Sequence, residues 1–250
     1  MKVNGEKMNI LNLKNRTIAS QYVAAELIKV MKAKPNAVLG LATGSTMTDV
    51  YRYLVTLINA NEMDLNSIIT FNLDEYIGLA PNHKQSYYTY MHQHLFNHHE
   101  GWNKSNLYVP NGIAKDLQRA CSDYEQALRN QGPADIQILG IGENGHIGFN
   151  EPYSPFDSQT RVVDLTASTI HANSYHFNHI EDVPKQAISM GLDSIMSAKR
   201  IILLALGSRK KDIVKQLIEG QISEKLPASI LHHHGNVEII VDDEAYGTNN

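Results

Sequence analysis

Five short apolar runs constrain this chain more than any other feature: Val38–Ala42, Ile68–Asn72, Ile136–Ile141, Ile201–Leu206 and Val237–Val241. They are rich in Val, Ile and Leu and lack polar alternation, as strands covered on both faces do. Helical patterns separate them. Thr17–Lys34 carries Ala24, Leu27, Ile28 and Met31 at helical spacing and stops before Pro35. Further helices are expected over Thr48–Asn59, Ser86–His98, Asp116–Asn130, Lys185–Lys199 and Ser208–Glu219, the last ending at Gly220. Strand–helix alternation of this kind predicts an α/β fold: a mostly parallel, twisted, doubly wound (Rossmann-like) sheet with helices on both faces. No linker or internal repeat interrupts the 250 residues, so a single domain over 1–250 is expected.

Composition narrows the function classes. The net charge is −4 and only 19% of residues are charged. That leaves no broad positive field for coating nucleic acid or a membrane surface. One cysteine, Cys121, excludes an internal disulfide and a cysteine-based zinc cage. No apolar run approaches the ~18 residues of a membrane span. The opening MKVNGEKMNILNLKN is broken by polar residues too often for a signal-peptide core. A reducing, cytoplasmic setting is the expectation.

Open parallel sheets bind ligands beyond the carboxyl ends of their strands. Thr43, Gly44, Ser45 and Thr46 follow the first run. Gly44 lets the backbone approach an anion, the hydroxyls can bond it, and the next helix offers free amides. An ordinary capped turn would use the same residues. It is neither a Walker loop nor a dinucleotide-binding fingerprint. Asp74 and Glu75 follow the second run. A carboxylate held against apolar walls can be a desolvated base, or one of the two caps a helix or turn; strand alternation sends them to opposite sides, so only one is expected to face the site. After the third run, Gly142, Gly145 and Gly148 permit a tight path that presents His146, with Asn144 and Glu151 near enough to select its tautomer. Lys210, after the fourth run, is either a point charge for phosphate or a solvated lysine like Lys211. His94 and His98 are four apart on a predicted helix, a spacing that admits a metal pair, but no acidic partner stands in register and a partly exposed helix fits as well.

These segments together resemble the glucosamine-6-phosphate deaminase family over nearly the whole chain. The matching stretches are LGLATGST (39–46), TFNLDEYIGL (70–79), SYYTYM (86–91), LGIGENGHIGFNEP (139–152), VPKQAISMG (183–191), LALGSRK (204–210) and PAS (227–229). The resemblance implies a reversible conversion of glucosamine 6-phosphate to fructose 6-phosphate and ammonia, without metal or organic cofactor. In that scheme Asp74 moves a proton from C2 to C1, and His146 opens the pyranose ring, steered by Asn144 and Glu151. Thr43–Thr46, Gly142 and Lys210 bind the substrate, and a mobile lid covers residues around 160–185. The expected partner is a small hexosamine 6-phosphate, and the chain looks like the family's unregulated monomeric type, although other members are oligomers. Galactosamine 6-phosphate is an alternative substrate, and hydrolysis of a 6-phosphogluconolactone an alternative reaction. A sugar-phosphate sensor with a decayed site is a third reading, weakened by the lack of a basic DNA-binding module.

Several residues depart from the family pattern. Asn144 stands where many members have aspartate. Tyr175 occupies the position of a phosphate-binding arginine, for which His176, Arg161 or Arg209 are candidate substitutes. Tyr153 replaces a glycine, and Met47 replaces a proline whose loss removes only a favourable first helical position.

Overall fold

The computed structural model describes residues 8–248; part of the N-terminal segment discussed above, residues 1–7, lies outside them. The elements run β1 (Asn9–Asn12), α1 (Arg16–Ala33), β2 (Val38–Leu41), α2 (Ser45–Ala60), β3 (Ile69–Asn72), β4 (Asp74–Tyr76), α3 (Tyr87–His94), β5 (Leu107–Tyr108), α4 (Leu117–Gln131), β6 (Ile136–Gly140), β7 (Arg161–Asp164), α5 (Ala167–Asn173), β8 (Gln186–Ser189), α6 (Leu192–Met196), β9 (Ile201–Ala205), α7 (Lys211–Glu219), β10 (Val237–Val241) and α8 (Asp243–Tyr246). Seven strands form one parallel sheet in the order β1-β10-β9-β6-β2-β3-β5. All five apolar runs lie in it. Every residue of β2 and β9 is buried, as two-sided coverage requires.

The chain enters the sheet's interior at β2 and extends to either side of it, so β2 and β6 are neighbours whose connections leave in opposite directions. A crevice opens at such a switch point beyond the strand ends. Polar side chains start the helices where the backbone needs them. Asn15 accepts from the Ile18 amide, Ser86 from Thr89 and Asp116 from Arg119. Each such cap is worth ~1 kcal/mol.

Two predicted helices need correction. Lys185–Lys199 is not one helix. Gln186–Ser189 forms β8 between β4 and β7 in a separate three-stranded antiparallel sheet, and only Leu192–Met196 is helical. A short apolar run around Ile188 is ambiguous by periodicity, and two flanking strands offer it ladder partners. Gly191 then passes so close to Ser158 that a Cβ there would lie 2.1 Å from the Ser158 carbonyl oxygen. The predicted helix Ser86–His98 ends at Leu95, and Phe96–His98 turns as a 3-10 segment. His94 and His98 therefore lose helical register. His98 bonds the Gln93 carbonyl and His94 packs on Tyr90. Among the described residues no group of three or more His, Cys, Asp or Glu is placed to hold a metal. Nor is any helix among them long and apolar enough to cross a membrane.

Met47 is more than a lost proline. Its side chain is fully buried and packs toward Gly140 of the neighbouring strand, anchoring α2 to the sheet.

Candidate active site

Thr43, Gly44, Ser45, Thr46, Asp74, Gly142, Asn144, His146 and Lys210 all line one cavity of about 450 Å³. Four separate loops thus converge beyond the carboxyl ends of the strands. Glu151 lies just behind the cavity wall, against His146.

The candidate anion-binding end begins at Gly44, with φ +103°, a backbone that L side chains rarely adopt. No side chain caps α2 there. Ser45 and Thr46 open this 16-residue helix and line the cavity, so the positive end of the helix dipole lies at the cavity. The Gly44 carbonyl is held by the Tyr90 hydroxyl at 2.8 Å, and the Ala42 carbonyl by buried Tyr51. Lys210 precedes α7, and burial pushes its ammonium below the usual lysine range while Glu143 pulls the other way. A desolvated cation of this kind gains most from a bound dianion.

The histidine loop is compact because Gly142 has no side chain. A Cβ at Gly142 would lie 2.2 Å from the His146 ring. The Gly142 amide donates to the His146 carbonyl at 2.9 Å, closing the turn. The His146 Nδ1 lies 2.7 Å from Asn144 Oδ1 and 3.4 Å from Glu151 Oε2. Asn144 Nδ2 donates to the same Glu151 oxygen at 2.7 Å. Carboxylate and carbonyl oxygens only accept, so Nδ1 carries the proton and Nε2 is left as the basic nitrogen. The other Glu151 oxygen accepts from the Thr166 hydroxyl at 3.1 Å and from Thr169. Burial would raise the Glu151 carboxyl, but the bonds from His146, Thr169 and Asn144 prevail and hold it at about 2. An ionised carboxylate beside Nδ1 supplies the charge that Asn144 cannot.

Asp74 stands at the opposite wall. It is 6% exposed, and burial first and the neighbouring Glu75 second push its carboxyl up to about 8. Its surroundings are aromatic: Tyr87 lies 4.9 Å from Tyr76 and stacks on Phe149 at 6.0 Å, and both Tyr87 and Phe149 line the cavity. Glu75 points the other way, as alternation requires, and accepts the amides of Tyr76, Tyr87 and Tyr88 at 2.8, 3.0 and 2.9 Å. It caps α3.

The remaining wall comes from the segment after β7. Ser168, Thr169, Ala172, Asn173, Tyr175 and His176 reach the cavity. Tyr175 is 69% exposed and stacks on the His176 ring at 3.9 Å. Burial lowers the proton affinity of His176. Arg161 does not reach the anion end; its guanidinium donates to Asn150 Oδ1 at 2.8 Å. Arg209 is exposed and faces Glu143 at 3.7 Å. Tyr153 holds a left-handed backbone, φ +73°, with an exposed ring and its amide bound to the Glu224 carbonyl.

Sequence reasoning missed Tyr87 and the pair Thr166/Thr169. Thr166 carried a local signal, since it caps α5 by accepting from the Thr169 amide. Tyr87 carried none, because its place in the wall depends on where α3 docks.

Comparison with known proteins gives the family of this chain. A glucosamine-6-phosphate deaminase of Staphylococcus haemolyticus is 62% identical over 239 residues, covering 96% of this chain and 99% of that protein. The corresponding Staphylococcus aureus protein is 55% identical, covering 95% and 94%. The solved structure of a monomeric glucosamine-6-phosphate deaminase superposes with a TM-score of 0.94 at 44% identity, covering 97% of this chain and all of that one. A 6-phosphogluconolactonase of Trypanosoma brucei shares the fold, with a TM-score of 0.76 at 17% identity over 98% and 99% of the two chains. The family model described as glucosamine-6-phosphate isomerases/6-phosphogluconolactonase matches residues 16–240, and the chain belongs to that family.

Proposed function

We propose that this protein is a glucosamine-6-phosphate deaminase, releasing fructose 6-phosphate and ammonia. The observation that carries this reading is a dry carboxylate, Asp74, facing a histidine whose Nδ1 is held by Asn144 and Glu151, within one cavity that also has an anion-binding end. A lactonase needs a group to act on water but has no use for a base at a carbon. Staphylococcal relatives at 53–62% identity are named glucosamine-6-phosphate deaminases. Galactosamine 6-phosphate is the closest competing substrate.

The α2 amides, Ser45, Thr46 and Lys210 grip the phosphate and leave the sugar carbons over Asp74. The basic Nε2 of His146 takes the proton from O1 and returns it to O5, which breaks the C1–O5 bond and opens the ring. Glu151 stabilises the imidazolium that exists between these steps. Asp74 removes the C2 proton while O1 takes up the proton released by the C2 ammonium, giving an enolamine, and Asp74 then delivers its proton to C1 on the same face. The resulting C2 iminium takes up water, and ammonia leaves as the ketose forms. Holding both carbons within reach of one base makes the transfer effectively unimolecular. The remote phosphate provides the binding energy that orients them.

On the same reading the chain acts as a monomer of one domain, in the cytoplasm, with residues 160–185 as a lid that closes over bound sugar and excludes water. Purified protein incubated with glucosamine 6-phosphate should yield equal amounts of fructose 6-phosphate and ammonia. Galactosamine 6-phosphate and 6-phosphogluconolactone serve as the competing substrates. No ketose phosphate or ammonia from either hexosamine at micromolar enzyme would sink the proposal.

A further inference from the structure

The sequence places two carboxylates side by side at the end of β3, and the reaction above uses only one. Glu75 is 2% exposed, yet no cation pairs with it among the described residues. A buried carboxylate without a counter-ion is costly unless hydrogen bonds replace its hydration. Here Oε1 accepts from the Tyr76 and Tyr87 amides and Oε2 from the Tyr88 amide. All three partners are N–H donors, so the site is built for an acceptor-only group, the ionised form. Two of those amides open α3, where the helix dipole also favours negative charge. Burial works against that ionisation and leaves the Glu75 carboxyl above the usual glutamate range, while the three amides pull the other way.

Asp74 lacks every such provision. Burial is the first cause that raises its proton affinity, Glu75 the second, and no hydrogen bond lowers it. Its neighbours come from several elements. Tyr76 shares its strand, Tyr87 comes from α3, Tyr124 from α4 and Ser189 pairs with it across β8. These are neutral. His146 and Lys210 lie across the cavity, and Arg161 is turned to Asn150. Glu75 is thus the charge that acts on Asp74.

We propose that Glu75 is a charged positioning residue: its buried carboxylate, fixed by three main-chain amides, makes the adjacent Asp74 a stronger base. This rests on the reading of Asp74 as the C2 base. Three amides support the charge on Glu75 and none supports that on Asp74, so Asp74 is the carboxyl that takes up the proton first and Glu75 the one that keeps its charge. The same three amides dock Tyr87 in the wall that keeps Asp74 dry. A stronger base abstracts a carbon-bound proton more readily, and the consequence is an acid limb displaced toward neutral pH.

The test is Glu75→Gln, which keeps the shape and removes the charge. The acid limb of its kcat/KM profile should move down by about one pH unit. Its plateau kcat should fall several-fold, with KM for glucosamine 6-phosphate little changed. A folded variant whose limb superimposes on the parent's, whatever its plateau, overturns the proposal and leaves Glu75 a helix cap alone. Should Glu75→Gln fail to fold, carboxyl-carbon NMR of the parent protein decides, with Asp74→Asn to assign the resonance. Asp74 should titrate well above Glu75 and show a second, smaller inflection where Glu75 protonates. An Asp74 midpoint at the ordinary ~4, or Glu75 protonated where Asp74 is ionised, overturns it. The NMR measurement reads the pair even if no substrate turns over, so failure of the deaminase reading and failure of this one are separable.

Discussion

The floor of the cavity and the segment over it are held in different ways. On the floor, Thr43–Thr46 and Gly142–Glu151 leave two adjacent, fully paired strands, and their geometry is enforced by glycine at Gly44 and Gly142 and by the buried side chain of Met47. Above it, α5 and the turn carrying Tyr175 and His176 expose much of their surface, and their tie to the floor runs through Thr166 and Thr169 to Glu151. Glu151 uses one oxygen for the histidine and the other for this segment. The difference teaches where each kind of change should register. Floor residues hold charge in a dry setting, where one lost partner is expensive. Residues of the proposed lid act through closure and exposed contacts, where single substitutions weigh less.

Asp74→Asn should have the largest effect. Turnover should fall by ~10³–10⁴ while fructose 6-phosphate still binds, as read by calorimetry. The same variant carries a stability signature. A carboxyl held at about 8 ionises against the fold. The folded state therefore binds the proton more tightly than the unfolded chain, and the associated stability is complete below the unfolded carboxylate range and lost as pH rises through about 8. Asp74→Asn should melt at least ~4 °C higher than the parent at pH 9, with the gap closing toward pH 4. A parent protein that is the more stable at pH 9 contradicts the dry environment assigned to the floor.

Lys210→Met comes next. It should raise KM ~10–100-fold with a smaller change in kcat, measured in steady state with glucosamine 6-phosphate. Thr169→Val breaks one bond between the proposed lid and Glu151 and should lower kcat a few-fold, about the cost of one hydrogen bond. Tyr175→Arg should have the smallest effect, lowering KM by ~3–10-fold as an added cation meets phosphate in a solvated setting. A gain at Tyr175 larger than the loss at Lys210 would invert the comparison and make the upper segment the principal phosphate grip.

Much of this was legible beforehand because it is local. Val-, Ile- and Leu-rich runs without polar alternation, bounded by turn residues, mark buried parallel strands, and all five lie in the large sheet. Strand alternation alone separates Asp74 from Glu75. The glycines of Gly142–Gly148 announced a tight turn around His146. The exceptions also have particular causes. Gln186–Ser189 has no strong preference of its own and became a strand because β4 and β7 flank it. His94 and His98 lost their register when the helix stopped at Leu95.

The parallel core, the four loops at its carboxyl rim and the residue types those loops present follow from local sequence, because periodicity, glycine and side-chain alternation are properties of neighbouring residues. The dryness of Asp74, the placing of Glu151 between His146 and Thr169 and the commitment of Arg161 to Asn150 come from packing. Desolvation and hydrogen-bond partnership arise between segments far apart in the chain, and they take a value only once the sheets have packed.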